Sequence, residues 1–318
     1  MTQAIDVTAV LVNYNTAHLL DEAIGALRVS ARGLNLQIVI VDNASRDDSI
    51  AVLRARYADC DVIENPNNVG FGRANNAALA LARGRLVLLL NTDAFVAADT
   101  LTRTVEYIDA HADVGVLGVR LVGRDGVLQP SCRYFPTPFN VFLQRAGIER
   151  WFPGVRTIDD MQWDHASVRA CDWVPGCYYL VRREVIDRVG LFDPRYFLYY
   201  EEVDHCRAVK AAGWRVVYYA DTSVVHIGGE SAKSEGALTA GARQLSQLQI
   251  ESELLYFRKH HGLAGVWGAV ALGALAALMQ SVRLLFRHGV AAAAAPLKDL
   301  RLTGSVFRRT AWGARATR

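Results

Sequence analysis

Three short polar clusters each follow directly on an apolar run: Asn13-Tyr14-Asn15, Asp42-Asn43-Ala44-Ser45 and Asn91-Thr92-Asp93. Singly, each could be a turn or a helix cap, since Asn, Asp and Ser bond readily to nearby backbone. Three at three strand ends point instead to one shared ligand, because open parallel sheets bind ligands at the carboxyl ends of their strands. Asp42 can accept hydrogen bonds from a base or a ribose. Asp93 is a hard oxygen ligand, suited to a divalent cation that also holds phosphate. The run Asn67-Asn68-Val69-Gly70-Phe71-Gly72-Arg73-Ala74-Asn75-Asn76 adds glycines, amides and one arginine, which can approach a nucleotide closely.

A second group of acids, Glu201-Glu202-Val203-Asp204, stands at the start of a predicted helix. Carboxylates are stabilised there by the helix dipole, so a purely structural cap competes with a catalytic role. The neighbouring rings Tyr196, Phe197, Tyr199 and Tyr200 favour the second, because partial desolvation raises a carboxylate towards the range of a useful general base. His226 follows Val224-Val225 and precedes Gly228-Gly229. By itself a histidine at a strand end is more often structural than a ligand.

These groups need a scaffold, and the first half of the chain supplies a strand–helix alternation. Val7–Val12, Ile38–Val41, Val62–Ile63 and Leu86–Leu90 read as strands, with helical spacing at Leu19–Leu27, Ile50–Tyr57 and Asn75–Ala82. Continuous apolar strands flanked by helices predict a Rossmann-like, mostly parallel α/β sheet. Residues 123–174 hold four prolines and predict loops and short elements. Beyond them come a strand (Cys177–Val181), helices (Arg183–Val189, Glu202–Ala211) and a strand (Arg215–Tyr219).

Composition narrows the function classes. At 52% hydrophobic and 21% charged, the chain can bury a large core. Its five cysteines form no C-x-x-C pair, which predicts a reducing, cytoplasmic setting. No basic stretch and long apolar run open the sequence, so no signal peptide is expected. Neither G-x-G-x-x-G nor G-x-x-x-x-G-K-[ST] is present, against a dinucleotide dehydrogenase or a P-loop enzyme. A nucleotidyltransferase would carry glycine and lysine near its first strand, and Val7–Leu20 has neither.

The ordered series V-N-Y-N, V-D-N-A-S, N-P-N-N-V-G-F-G-R-A-N-N, L-L-N-T-D, W-V-P-G-C, G-L-F-D-P-R-Y-F-L-Y-Y-E-E-V-D and V-V-H-I-G-G resembles the family-2 glycosyltransferases. Within them it is most similar to the bacterial rhamnosyltransferase-like branch, over about residues 7 to 230. The resemblance implies a GT-A fold, a nucleotide-diphospho-sugar donor, a divalent cation (Mg²⁺ or Mn²⁺) and inversion in a single displacement. It implies nucleotide contacts at Asn13, Asn15, Asp42, Asn43 and Asn91. Gly70, Phe71, Asn75 and Asn76 would form the loop beside the donor, with Arg73 helping to offset charge. Asp93 and His226 would hold the metal, and Trp173, Gly176 and Glu201 would line the acceptor side. Glu202 stands where the family usually has aspartate and would be the base, with Asp204 as the nearest rival. A catalytically inactive relative that binds sugar nucleotide as a scaffold is the alternative.

The tail departs from the body. Leu263–Met279 is uncharged, and residues 281–318 carry eight Lys or Arg against the single acid Asp299. The rest of the chain is mildly acidic, which argues against a nucleic-acid partner. Apolar helix beside basic charge predicts contact with an anionic membrane surface. The expected organisation is a catalytic domain over 1–260 and a helical tail over 261–318. The enzyme would then act at the cytoplasmic face of the plasma membrane on a glycan or lipid-linked acceptor.

Overall fold

The computed structural model describes residues 4–228 and 247–318, which fall into two compact units. Gly229, the last residue of the V-V-H-I-G-G motif, lies outside the described residues.

The first unit is built on one mixed sheet. Its strands are β1 (Val7–Asn13), β2 (Leu36–Asp42), β3 (Asp61–Glu64), β4 (Leu86–Asn91), β5 (Ala94–Val96), β6 (Val114–Val122), β7 (Leu128–Gln129), β8 (Arg169–Cys171), β9 (Tyr178–Arg182) and β10 (Arg215–His226). The main order is β3-β2-β1-β4-β9-β6-β10-β5. From β3 to β4 the pairing is parallel, with Val7 opposite both Leu36 and Leu86. β1, β2 and β4 are largely apolar and buried because both faces of the sheet are covered there, whereas the short edge strand β3 is partly exposed. β9 then enters antiparallel between β4 and β6. That reversal sets the beginning of β9 beside the carboxyl end of β4, with Leu90 opposite Tyr178.

The flanking helices of this unit are α1 (Leu20–Ser30), α2 (Ser49–Arg56), α3 (Phe71–Ala78), α4 (Thr100–Ala110), α6 (Arg183–Val189) and α7 (Glu201–Ala211). α4 and β6 were not anticipated, although Leu101, Val105 and Ile108 recur at helical spacing and are all buried. α3 begins at Phe71, earlier than the alanine-rich run suggested. Gly70 caps it at φ 88°, a left-handed conformation that favours glycine.

Of the described residues, the second unit comprises 134–160, 195–200 and 247–318. It holds α5 (Pro138–Ala146) and the long α8 (Gln247–Arg309). α5 carries a capping box between Thr137 and Asn140, has Pro138 at its first turn and ends on the left-handed Gly147. α8 bends at Gly262 and Gly289, whose backbones leave the helical region. Phe142, Leu143, Ala146 and Ile148 pack with Leu272, Ala276 and Met279. Arg145 pairs in bidentate fashion with Glu253, and Tyr200 donates to the same carboxylate at 3.2 Å. Tyr199 and Tyr200 are both left-handed (φ 71° and 70°), a costly conformation for residues with bulky side chains.

Candidate active site

The carboxyl ends of β1, β2 and β4 carry the three polar clusters, and hydrogen bonds tie them together. Asn13 donates to Asp42 Oδ1 (2.8 Å) and to Ser45 Oγ (3.0 Å), and accepts from Thr16 Oγ1 at 2.7 Å. Thr16 meets Thr92 hydroxyl to hydroxyl at 2.8 Å, which joins the first strand end to the third. Asp42 Oδ2 accepts from the Ser45 amide. Asn15, left-handed at φ 54°, receives the Arg46 amide on its side-chain oxygen. The buried side chains of Asn13 and Asp42 therefore satisfy each other and shape this rim.

Asn43 acts on the next loop. Its Oδ1 accepts from Asn65 Nδ2 and the Val69 amide, both at 3.0 Å, and its Nδ2 donates to Asn68 Oδ1 at 2.8 Å. Replacing it leaves at least two donors without their acceptor in a poorly solvated place, where each loss costs about 1–3 kcal/mol. Asn43→Ala is therefore expected to lower stability by about 2 kcal/mol in urea unfolding and to loosen residues 65–70.

The loop expected beside the donor is largely helical, and its side chains brace a neighbouring turn. Asn76 both donates to the Phe192 carbonyl (2.7 Å) and accepts from the Phe192 amide (3.0 Å). Arg73 Nε donates to the Pro194 carbonyl, and buried Asn75 bonds the Phe71 carbonyl. Arg73, Asn75 and Asn76 thus hold secondary structure in place, whatever else they touch.

Asp93 and His226 come together because β10 pairs antiparallel with β5. His226 lies opposite Ala94, and the Ile227 amide donates to the Asp93 carbonyl. Asp93 Oδ1 is then 3.6 Å from His226 Nε2. Gln129 decides which imidazole nitrogen carries the proton. Its amide nitrogen donates to the His226 carbonyl at 2.8 Å, so its oxygen faces Nδ1 at 2.9 Å and Nδ1 is the donor. Nε2 is left with its lone pair towards Asp93. Burial depresses the histidine pKa while Asp93 opposes it, and the net shift is downward, so the ring is neutral at neutral pH. Two acceptors face each other across a gap that one divalent cation would bridge. Among the described residues no group of three or more His, Cys, Asp or Glu could hold a metal.

Glu202 stands on the first turn of α7, with Glu201 buried beside it in sequence. Its carboxylate, with Oε2 buried, lies near Gly176: a Cβ on that glycine would sit 4.0 Å from Glu202 Oε1 and 3.1 Å from the Phe71 ring. Burial raises the Glu202 pKa. Its own amide, the Arg133 guanidinium and the Gly176 amide pull the other way without cancelling the rise. Arg133 stacks over Trp173 at 4.1 Å, and the two residues exchange backbone hydrogen bonds. This gives Trp173 and Gly176 distinct tasks, one holding Arg133 and the other leaving room for Phe71. Asp204 is buried two residues further along α7, so its side chain leaves the helix roughly 200° from that of Glu202.

The two halves of the site adjoin at the β4–β9 reversal. The Asn91 amide donates to the Cys177 carbonyl at 3.1 Å. The buried Cys177 thiol, its pKa raised by burial, is raised further by the charges of both Asp93 and Glu202. Gln129, Arg133 and Thr16 were not singled out from the sequence. The first two lie in the irregular stretch, where nothing in residue type or spacing marks them.

Comparison with known proteins supplies the deciding observation: the sequence profile of glycosyl transferase family 2 matches residues 8–170, half of the chain. The chain belongs to glycosyl transferase family 2. Among its relatives is the N-acetylglucosaminyl-diphospho-decaprenol L-rhamnosyltransferase of Mycobacterium tuberculosis. The two are 26% identical over 248 residues, 71% of this chain and 76% of the relative. The rhamnosyltransferase WbbL of Escherichia coli is 26% identical over 202 residues, 60% of this chain and 72% of that protein. The family-2 transferase is thus rhamnosyltransferase-like. In fold it is similar to the Pyrobaculum calidifontis mannosyltransferase solved with GDP-Man and Mn²⁺. That likeness has a TM-score of 0.53 at 18% identity, covering 98% of this chain and 88% of the other. The Staphylococcus aureus TarS fragment solved with UDP-GlcNAc gives 0.52 at 15% identity, covering 99% and 93%. These likenesses agree with the expected GT-A class, a sheet flanked by helices.

Proposed function

We propose that this transferase moves a hexose with inversion from a nucleotide-diphospho-sugar to a hydroxyl of a glycan or lipid-linked acceptor, with rhamnose from dTDP-rhamnose as the leading donor. The observation that carries the reading is Glu202 on the first turn of α7, its pKa raised by burial, with the buried Cys177 thiol feeling the charges of both Glu202 and Asp93. Glu202 takes the proton of the acceptor hydroxyl. That oxygen attacks the anomeric carbon from the face opposite the diphosphate, and the bond to the nucleoside diphosphate breaks as the new glycosidic bond forms. No covalent enzyme intermediate is needed.

The rim of Asn13, Asn15, Asp42, Asn43 and Asn91 receives the nucleotide, and Gly70 lets the backbone approach it at Phe71. Asp93 and His226 would hold a divalent cation, Mg²⁺ or Mn²⁺. When bound, that ion offsets the negative charge of the leaving group. Trp173, Gly176 and Glu201 border the acceptor side, and Asp204 steadies the start of α7. The relatives named above support the sugar and the lipid-linked acceptor. The charge-free run and basic tail support action next to a membrane, at its cytoplasmic face.

The test is release of nucleoside diphosphate from a panel of sugar nucleotides, with Mg²⁺ or Mn²⁺ and lipid-linked acceptor extracts. Metal-dependent release from dTDP-rhamnose is the expected result. Release from another donor alone would replace the sugar and keep the transfer. Donor binding with no release on any acceptor would favour the inactive scaffold.

A further inference from the structure

The second unit exposes an apolar surface where a water-facing helix would carry charge. Within α8, residues 263–288 and 290–309 turn back on each other at Gly289, so that Trp267 meets Phe307 (ring centroids 4.9 Å apart) and Ser281 bonds the Ala293 carbonyl. One side of the first segment is buried against α5 and the residues after it. The opposite stripe is Leu263, Trp267, Leu275, Leu278, Val282 and Leu285, at helical spacing and each between 43% and 54% exposed. Soluble helices place charged or polar residues on such a face. This stripe runs roughly 30 Å at 1.5 Å per residue. At the turn of the hairpin, Phe286 and Val290 are 84% and 77% exposed. Trp151 adds a 61% exposed ring on the same unit. It follows α5, whose last carbonyl, that of Ala146, accepts from Arg283. Aromatic and aliphatic side chains so exposed, in such number, mark a surface that meets something other than water.

We propose that this hairpin lies in the interface of an anionic lipid leaflet, entering by Phe286, Val290 and Trp151, and does not cross the bilayer. The inference deepens the membrane-surface part of the proposed function and is independent of the transfer chemistry. Charge selects the partner: Arg287, His288, Lys298 and Arg301 flank the apolar residues, and residues 281–318 hold one acid among eight bases. A second copy of the chain would bring two basic rims together and be repelled. Packing decides between lying and spanning. Length alone would let residues 263–282 cross. However, α5 lies along that segment with Arg145 paired to Glu253 and Gln144 bonded to Asp159, and the returning segment carries Lys298, Asp299 and Arg301. Crossing would carry those groups into hydrocarbon, whereas lying in the interface leaves them in water and headgroups.

The experiment is co-sedimentation of the full chain, without donor or acceptor, with phosphatidylglycerol–phosphatidylcholine vesicles and with phosphatidylcholine alone. Binding is expected to be stronger to the anionic vesicles and to weaken with salt. The pair Phe286→Ser and Val290→Ser, both on exposed residues, should weaken it on the order of tenfold or more. Arg287→Gln with Lys298→Gln should remove the preference for anionic lipid while leaving apolar burial intact. A fluorophore on Phe286→Cys, the native cysteines being buried, should be quenched best by shallow lipid-borne quenchers. Unchanged sedimentation in the apolar pair would overturn the proposal. So would quenching strongest at the bilayer centre, which means a span, or loss of self-association in place of vesicle binding, which means a dimer face. None of these outcomes touches nucleotide release, so the docking surface and the transferase reading stand or fall separately.

Discussion

Glu202→Gln is expected to lower kcat by about 10²–10⁴-fold while leaving donor affinity nearly unchanged, because a general base contributes that much and only in the transition state. Glutamine keeps the size and polarity of the side chain and removes the proton acceptor. The pH dependence gives a second signature. The carboxylate is the active form, and burial raises its pKa above the ordinary glutamate value. Activity should therefore rise with pH through that raised pKa, and the acid limb should disappear in Glu202→Gln. Arg133 opposes the rise, so Arg133→Met should move the limb further towards neutral pH. Glu202→Asp keeps a carboxylate on a shorter arm and should recover part of the rate. Initial rates across pH, with donor affinity by calorimetry, check all three. An unchanged kcat in Glu202→Gln would remove it as the base.

The second large effect is expected at Asp93. Asp93→Asn should reduce turnover by about 10²–10³-fold, the range seen when one preorganised charge-stabilising group is lost. It should also weaken Mn²⁺ binding in the presence of nucleoside diphosphate, read by electron paramagnetic resonance without any turnover. His226→Ala should act in the same direction. Gln129→Leu separates the ligand from its support, because leucine cannot hold the proton on Nδ1. Loss of such an outer partner typically costs 10–100-fold in metal affinity. A Gln129→Leu protein with unaltered Mn²⁺ affinity would show that the histidine is oriented by other means.

The two predictions rest on residues of unequal visibility. Glu202 and Asp93 stood out in the sequence by type and by their place at the end of an element, whereas His226 read as structural by itself and became a candidate only through the family resemblance. Gln129 and Arg133 did not stand out, since a glutamine and an arginine among loops have no period or motif to mark them. They matter through contacts 97 and 69 residues away in the chain, which only folding creates.

By itself the sequence determined the parallel half of the sheet, from β1 to β4. Unbroken β-branched and leucine runs between amphipathic segments admit few other arrangements. It determined which polar residues sit at strand ends, and that the tail is apolar and basic. The tertiary structure decided the rest. The antiparallel entry of β9 leaves no trace in hydrophobic period, because a strand buried on both faces reads the same in either direction. Yet that reversal brings Cys177 beside Asn91 at the end of β4. Arg73, Asn75 and Asn76 looked like ligand contacts by type, and their bonds to Pro194, Phe71 and Phe192 show what else an amide or guanidinium can satisfy. The charge-free run of α8 was likewise compatible with a span, a core helix or an interfacial one. Length and composition are the same for all three. Only the packing of α5 and of residues 290–309 against that run separates its buried side from its exposed one.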